Sequence, residues 1–275
     1  MTAFAAFLML GSGLLHAIVN AIVKASANRL YSRAAIDGTA TVLALPVALA
    51  VPLPTNAWAY LLLSTLLHAL YLACAIRSFD EGDLTTTYPV QRGSAPLVTT
   101  AIAFAVLGET VSLLQGVGIA VLCGAILYMA SARVFSMRAL GWALCTGGLI
   151  AACTVVDAIG VRAAPTPLSY VSWLFLLVGP TMFVSVSRLS RWSVAEFASL
   201  PWHRLIVAGG LSMIGYGSAL LALSIGATAP LAALRETSVI AAYAIGIGFL
   251  GERHDFKSLV SVICVATGAV IIVAA

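Results

Sequence analysis

Charged side chains are scarce in this sequence. They make up 9% of the 275 residues, whereas a soluble domain carries about 25%. The longest polar stretch, residues 188–203, is too short to form a soluble domain of its own. These shortages exclude an ordinary soluble protein, and the net charge of +4 lies mostly in short connections, so we expect no nucleic-acid partner.

Catalytic and metal-binding motifs are also missing. The sequence contains no HExxH, GxSxG or P-loop motif, and its ten acids and four histidines do not cluster at metal-ligand spacing. The five cysteines lie in apolar segments and none forms a CxxC pair, which is typical of packing residues rather than disulfides or metal ligands. We therefore expect no enzyme activity, no catalytic residue, no cofactor and no metal.

Apolar segments instead recur along the whole chain, which is 61% hydrophobic with a mean hydropathy of +1.07. About 20 apolar residues cross the hydrocarbon core as a helix. The sequence thus predicts an all-α polytopic membrane protein with ten transmembrane helices, at residues 3–23, 31–51, 56–78, 84–107, 112–131, 139–159, 167–187, 205–223, 228–250 and 255–275. No basic region precedes the first run, which we interpret as a permanent helix rather than a cleaved signal peptide.

The chain is an internal duplication. A Gly-Glu pair follows both apolar segments 84–107 and 228–250, and aligning the glutamates gives an offset of 252 − 109 = 143. The same offset carries Arg92 onto Arg235. In each pair, the glycine is expected to end one helix and the glutamate to lie near the N-terminus of the next, where the helix dipole favours negative charge.

The duplication predicts two repeats, residues 1–134 and 135–275, with five predicted helices each. Because five is odd, two copies in one chain must cross the membrane in opposite orientations. This inverted-repeat plan is common in secondary transporters, whose substrate site lies near the midplane between the repeats. Basic residues concentrate in the connections after odd-numbered spans, while those after even-numbered spans hold only Arg162. The positive-inside rule then puts both termini outside the cytoplasm.

Arg92 and Arg235 are the first candidates for function. Arg92 lies eight residues into its helix, about 12 Å at 1.5 Å per residue, and a charge at that depth usually faces a polar interior. Two guanidinium groups at one cavity could hold a carboxylate or phosphonate in a fork geometry. The alternative is that each arginine reaches an interface or pairs with an acid.

The remaining candidates are polar or aromatic residues within predicted spans. Glu236 could accept a proton, because burial favours the neutral form of a carboxyl group, or could form a permanent ion pair with Arg92. His68 could relay a proton or contact substrate, although a lone histidine in a helix is more often a packing residue. The other predicted substrate contacts are Tyr88, Gln91, His16, Asn20, its counterpart Asp157, Trp173, Tyr216 and Tyr243.

Ten spans in two halves, each with an LGE tripeptide after its fourth span, resemble the EamA group of the drug/metabolite transporter superfamily. Residues 88–127, which begin YPVQRGSAP, and residues 229–272, which begin APLAALRET, carry the resemblance. It implies a multi-pass carrier in the plasma membrane, here the bacterial inner membrane, with a central cavity between the halves. Many members of the group have a tryptophan near the centre of the first span. Here His16 and Asn20 occupy that region, which suggests a more polar ligand.

We therefore expect a secondary-active transporter of a small anionic or zwitterionic metabolite, similar to an amino acid, acting as a monomeric exporter among membrane lipids with the proton as a coupling ion. Three alternatives stay open: an uptake permease for an organic acid or phosphonate, a passive channel, and a non-transporting membrane scaffold. A membrane-embedded enzyme ranks last, since no nucleophile or acid–base pair stands out.

Overall fold

The computed structural model describes residues 2–82, 84–130, 136–189, 193–250 and 256–275. Within these ranges every regular element is a helix. They are α1 (Ala3–Lys24), α2 (Arg29–Ala50), α3 (Trp58–Glu81), α4 (Leu84–Ile102) with a π-helical turn (Ala103–Leu107), α5 (Leu113–Ala130), α6 (Met137–Ala163), α7 (Pro167–Leu189), α8 (Val194–Ala198), α9 (Trp202–Ile225), α10 (Thr228–Arg235), α11 (Ser238–Leu250) and α12 (Phe256–Ala274).

Nine helical stretches in these described ranges are long and apolar enough to cross a membrane, and α5 contributes a shorter apolar stretch, Leu113–Met129. Large apolar side chains are exposed on several of these helices, with Leu49 78% and Phe7 71% accessible. Such side chains face lipid at no cost, whereas water would penalise them. The chain is therefore a multi-pass helical membrane protein, as its composition predicts.

The stretch predicted as the ninth span is not one continuous helix. α10 ends at Arg235 and α11 begins at Ser238. Around this break, four backbone N–H groups bond the carbonyl three residues earlier, at 2.9–3.1 Å, instead of four residues earlier. The tighter turn places irregular backbone beside Arg235 and Glu236. Irregular backbone at membrane depth is tolerated only within protein or beside a polar cavity.

α4 leads into the π-helical turn Ala103–Leu107, which stops at Gly108. Gly108 has φ +65°, a left-handed conformation that glycine adopts without a Cβ clash. The glycine thus ends its helix, as predicted. The carboxylate of Glu109, however, accepts the backbone N–H of Thr228 at the start of α10, and not a donor of α5. The second Gly-Glu pair lies outside the described residues.

The two halves of the chain interlock. α6, the first helix of the second half, packs against both α3 and α4 of the first half. α1 packs in the same way against α9 and the α10–α11 pair, while α2 packs on α7 and α5 on α12. Each half therefore contributes its leading helix to the middle of the other.

Small residues allow these close approaches. At the α5–α12 crossing, a Cβ added to Gly118 would lie 2.9 Å from the Gly268 carbonyl oxygen, and one added to Gly268 would lie 2.8 Å from that of Gly118. Lipid provides no hydrophobic drive between helices, so such tight packing stabilises the bundle. Side-chain hydrogen bonds also hold the helices together. The Thr41 hydroxyl on α2 donates to the Phe175 carbonyl of α7 at 2.9 Å.

Candidate functional site

A buried cavity lies where α1, α4, α6, α9 and α10 meet. Polar side chains on its wall are Arg92, Thr99, Thr154, Tyr216, Arg235 and Glu236. The cavity volume is about 20 Å³. This is room for a water molecule but not for an organic metabolite. The cavity is therefore nearly closed in this conformation.

Arg92 and Glu236 form an ion pair across this cavity. Arg92 Nε lies 2.8 Å from Glu236 Oε2, and the two side chains are only 8% and 4% exposed. The N–H of that nitrogen does not point along the contact, so neither atom completes a hydrogen bond within the described residues. Glu236 is thus paired with Arg92 in this conformation, and its geometry leaves room for another hydrogen-bonding partner.

Arg235 reaches the same cavity from the helix break. Its guanidinium carbon lies 4.9 Å from the centre of the Tyr216 ring, a cation–π contact. Its Nε is buried and, among the described residues, has no hydrogen-bond partner; the same is true of Nη2 of Arg92. Both arginines therefore hold unused donors at the cavity.

The charged side chains that the described residues place on the cavity wall do not balance one another. Arg92 and Arg235 contribute two positive charges, and Glu236 contributes one negative charge. A buried charge without a counter-charge is costly. An anionic group entering the cavity would neutralise the excess and accept the unused guanidinium donors.

Asp157 does not face the cavity, in contrast to the prediction. Its side chain is fully buried. Tyr170 Oη donates to Oδ1 at 2.8 Å, and Tyr216 Oη donates to Oδ2. Tyr216 thus stands between Asp157 and the cavity. The carboxylate holds α6, α7 and α9 together and fixes the ring beneath Arg235.

Asn20 and Tyr88 contact one another one helical turn from Arg92 along α4. Asn20 Nδ2 donates to Tyr88 Oη over a long 3.4 Å, joining α1 to α4. His16, one turn earlier on α1, is half-buried and lies within range of the charges of Arg92 and Arg235. These three residues extend the polar region along α1 but do not line the cavity itself.

Four other predicted contacts lie outside the cavity wall. His68 Nδ1 donates to the backbone carbonyl of Ser64 on its own helix at 2.8 Å, and its ring lies 6.1 Å from that of Tyr216. Trp173 stacks edge-on against Trp58 at 5.1 Å. Gln91 Nε2, Trp173 Nε1 and Tyr243 Oη are buried without a partner among the described residues.

Some components of the site are not among the residues that the sequence predicts. Thr154, three residues before Asp157 on α6, lines the cavity, and that helical spacing could have indicated it. Tyr170, the second donor to Asp157, lies on another helix at a distance along the chain that no local pattern reveals.

Comparison with known proteins supports the fold only. No protein-family model and no curated protein matches the sequence. A solved chain described only as "Crystal structure of protein" superimposes with a TM-score of 0.77 and 12% identity, over 97% of this chain and 94% of the other. At that identity the likeness establishes a shared fold across nearly the whole of both chains.

Proposed function

We propose that this protein is a secondary-active transporter that moves a small anionic or zwitterionic organic metabolite, in the manner of EamA-type carriers. The observation that carries the proposal is the cavity itself. Two arginines at aligned positions of the sequence meet there, and among the described residues Glu236 is the one acid on the cavity wall. An anion of the substrate is the partner that this charge distribution fits.

The packing of the helices supports ten spans in two inverted repeats. α5 has 18 residues, about 27 Å of helix, so it can serve as the fifth span despite its length. The exchange of α1 and α6 between the halves is the arrangement that two oppositely inserted copies would produce. On this proposal residues 1–134 and 135–275 are the repeats, and the cavity lies on their shared axis.

The small cavity volume supports alternating access rather than a channel. A metabolite can enter only if the helices move apart at one face, and the site must then close before it opens at the other. The break between α10 and α11 lies beside the binding residues and can act as a hinge. We further propose that the protein is a monomeric exporter of the bacterial inner membrane, not an enzyme, with the proton as coupling ion.

The test begins with a ligand screen. Thermal unfolding of the purified protein against amino acids, phosphonates and sugar acids identifies a stabilising anion, because a ligand that binds only the folded state raises the unfolding temperature. The compound is then used in counterflow with proteoliposomes, where a carrier gives saturable exchange.

Arg92→Ala and Arg235→Ala should each abolish this exchange while the protein still elutes as folded material. Arg204→Ala, which removes an exposed arginine outside the cavity, is the matched control and should transport normally. Full exchange activity in both cavity variants would refute the proposed site.

A further inference from the structure

Glu109 joins three separate segments at one end of the bundle. Its Oε1 lies 3.1 Å from Arg162 Nη1 at the end of α6. The same oxygen accepts the Thr228 hydroxyl at 2.9 Å, and Oε2 accepts the Thr228 backbone N–H at 2.6 Å. The carboxylate thus links the end of α4 to α6 and to the first residue of α10.

Arg162 completes this network from the other side. Its Nε donates to the carbonyl of Leu223 at 2.9 Å, and its Nη2 donates to that of Gly226 at 2.8 Å. Both carbonyls belong to the end of α9, which leads into α10. Arg162 therefore holds the α9–α10 connection against α6, and Glu109 holds it against α4.

The network borders the cavity directly. Leu223, whose carbonyl accepts from Arg162, lines the cavity together with Ala219, one turn earlier on α9. The elements tied together, α4, α6, α9 and α10, are four of the five that form the cavity wall. Separation of their ends at this face would open a path to Arg92 and Arg235.

The exposure of the network suits a reversible contact. The side chains of Arg162 and Glu109 are 32% and 16% exposed, so water can replace their hydrogen bonds when the contact opens. The buried Arg92–Glu236 pair, at 8% and 4%, has no such replacement. The network can therefore open and re-form at a much lower cost than the pair inside.

We propose that Glu109, Arg162 and Thr228 form a gate that closes one face of the cavity. The inference rests on the transport function proposed above, to which it adds the contact that must break when this face opens. Loss of the Glu109–Arg162 pair shifts the protein towards the state open at this face.

The experiment measures access to the cavity without any substrate. Ala219→Cys is introduced after the five native cysteines have been replaced, and the protein is held in lipid nanodiscs with both faces in water. A membrane-impermeant maleimide then modifies the new thiol. Glu109→Gln and Arg162→Gln should each label about fivefold faster than the parent, equivalent to about 1 kcal/mol in the opening equilibrium.

The matched control is Arg33→Gln combined with Asp37→Asn. This pair is 3.0 Å long, against 3.1 Å in the gate, and its arginine is 31% exposed. Both residues lie on α2, so the ion pair itself does not join two elements. Its loss should leave the labelling rate unchanged. Unchanged labelling in both gate variants, or equal acceleration in the control, would overturn the gate.

If the cysteine-free protein does not fold, amide hydrogen exchange in the otherwise native chain tests the same gate. Faster exchange confined to the α9–α10 connection in Glu109→Gln supports the gate, and unchanged exchange there overturns it. Neither measurement needs transport. If no compound gives saturable counterflow while labelling responds, the proposed function fails and the gate still describes a conformational change.

Discussion

Replacing Arg92 with methionine would leave Glu236 as a buried carboxylate without its nearest cation. The two atoms in contact are 2.8 Å apart and both side chains are almost entirely enclosed. Breaking one side of such a pair typically costs about 3–5 kcal/mol. We expect a value near the lower end, about 3 kcal/mol, because the charge of Arg235 also acts on Glu236.

The double variant Arg92→Met, Glu236→Gln separates stability from function. It leaves no unpaired carboxylate, so we expect its free energy of unfolding to recover to within about 1 kcal/mol of the parent. Transport should remain abolished, since the guanidinium that binds the anion is still missing. A denaturant titration in mixed micelles, followed by tryptophan fluorescence, measures the first quantity, and proteoliposome flux measures the second.

The reasoning is refuted if the single and double variants unfold at the same free energy. Removing the carboxylate would then restore no stability, so Glu236 would not be a costly unpaired charge in the single variant. Recovery of transport in the double variant would be equally damaging, because it would mean that Arg92 serves only to neutralise Glu236.

Three further predictions concern the surroundings of the site. Asp157→Ala leaves the hydroxyl groups of Tyr170 and Tyr216 without their acceptor, so we expect the free energy of unfolding to fall by about 2–4 kcal/mol. The same titration measures this loss, which should be smaller for Asp157→Asn. Tyr216→Phe keeps the ring beneath Arg235 but loses the hydrogen bond to Asp157. Ligand affinity should change little, while the free energy of unfolding falls by about 1–2 kcal/mol. Tyr216→Leu, which also removes the ring, should lower both the affinity and the stability. Gly118→Ala places a methyl group against a facing carbonyl and should destabilise the bundle by about 1–3 kcal/mol. Gly124→Ala, where nothing lies within 4 Å of the added atom, is its control and should be neutral in thermal unfolding.

The spans were predictable because hydropathy and length act locally. Membrane-length apolar runs give the helices in nearly the expected places, and Gly108 ends its helix where a residue without a Cβ is needed. The break between Arg235 and Ser238 was not predictable. No glycine or proline lies within it, so no local residue type signals the break.

The positions of the acids also depended on partners far along the chain. Asp157 is buried because Tyr170 and Tyr216 reach it from two other helices. Glu109 binds Arg162 and Thr228, which are 53 and 119 residues away. Aligned repeats can indicate that two arginines occupy matching depths, but only the packed helices determine which side chains stand between them.

The most direct test of the central claim is the affinity of the stabilising anion for the parent, Arg92→Ala, Arg235→Ala and their double variant, measured by calorimetry. If both guanidinium groups bind the same anionic group, each single substitution should weaken binding of the anion by at least about tenfold. An uncharged amide analogue of the ligand should bind the parent no more tightly than the anion binds the variants. Unaltered affinity in either single variant, or tight binding of the amide, would contradict the account.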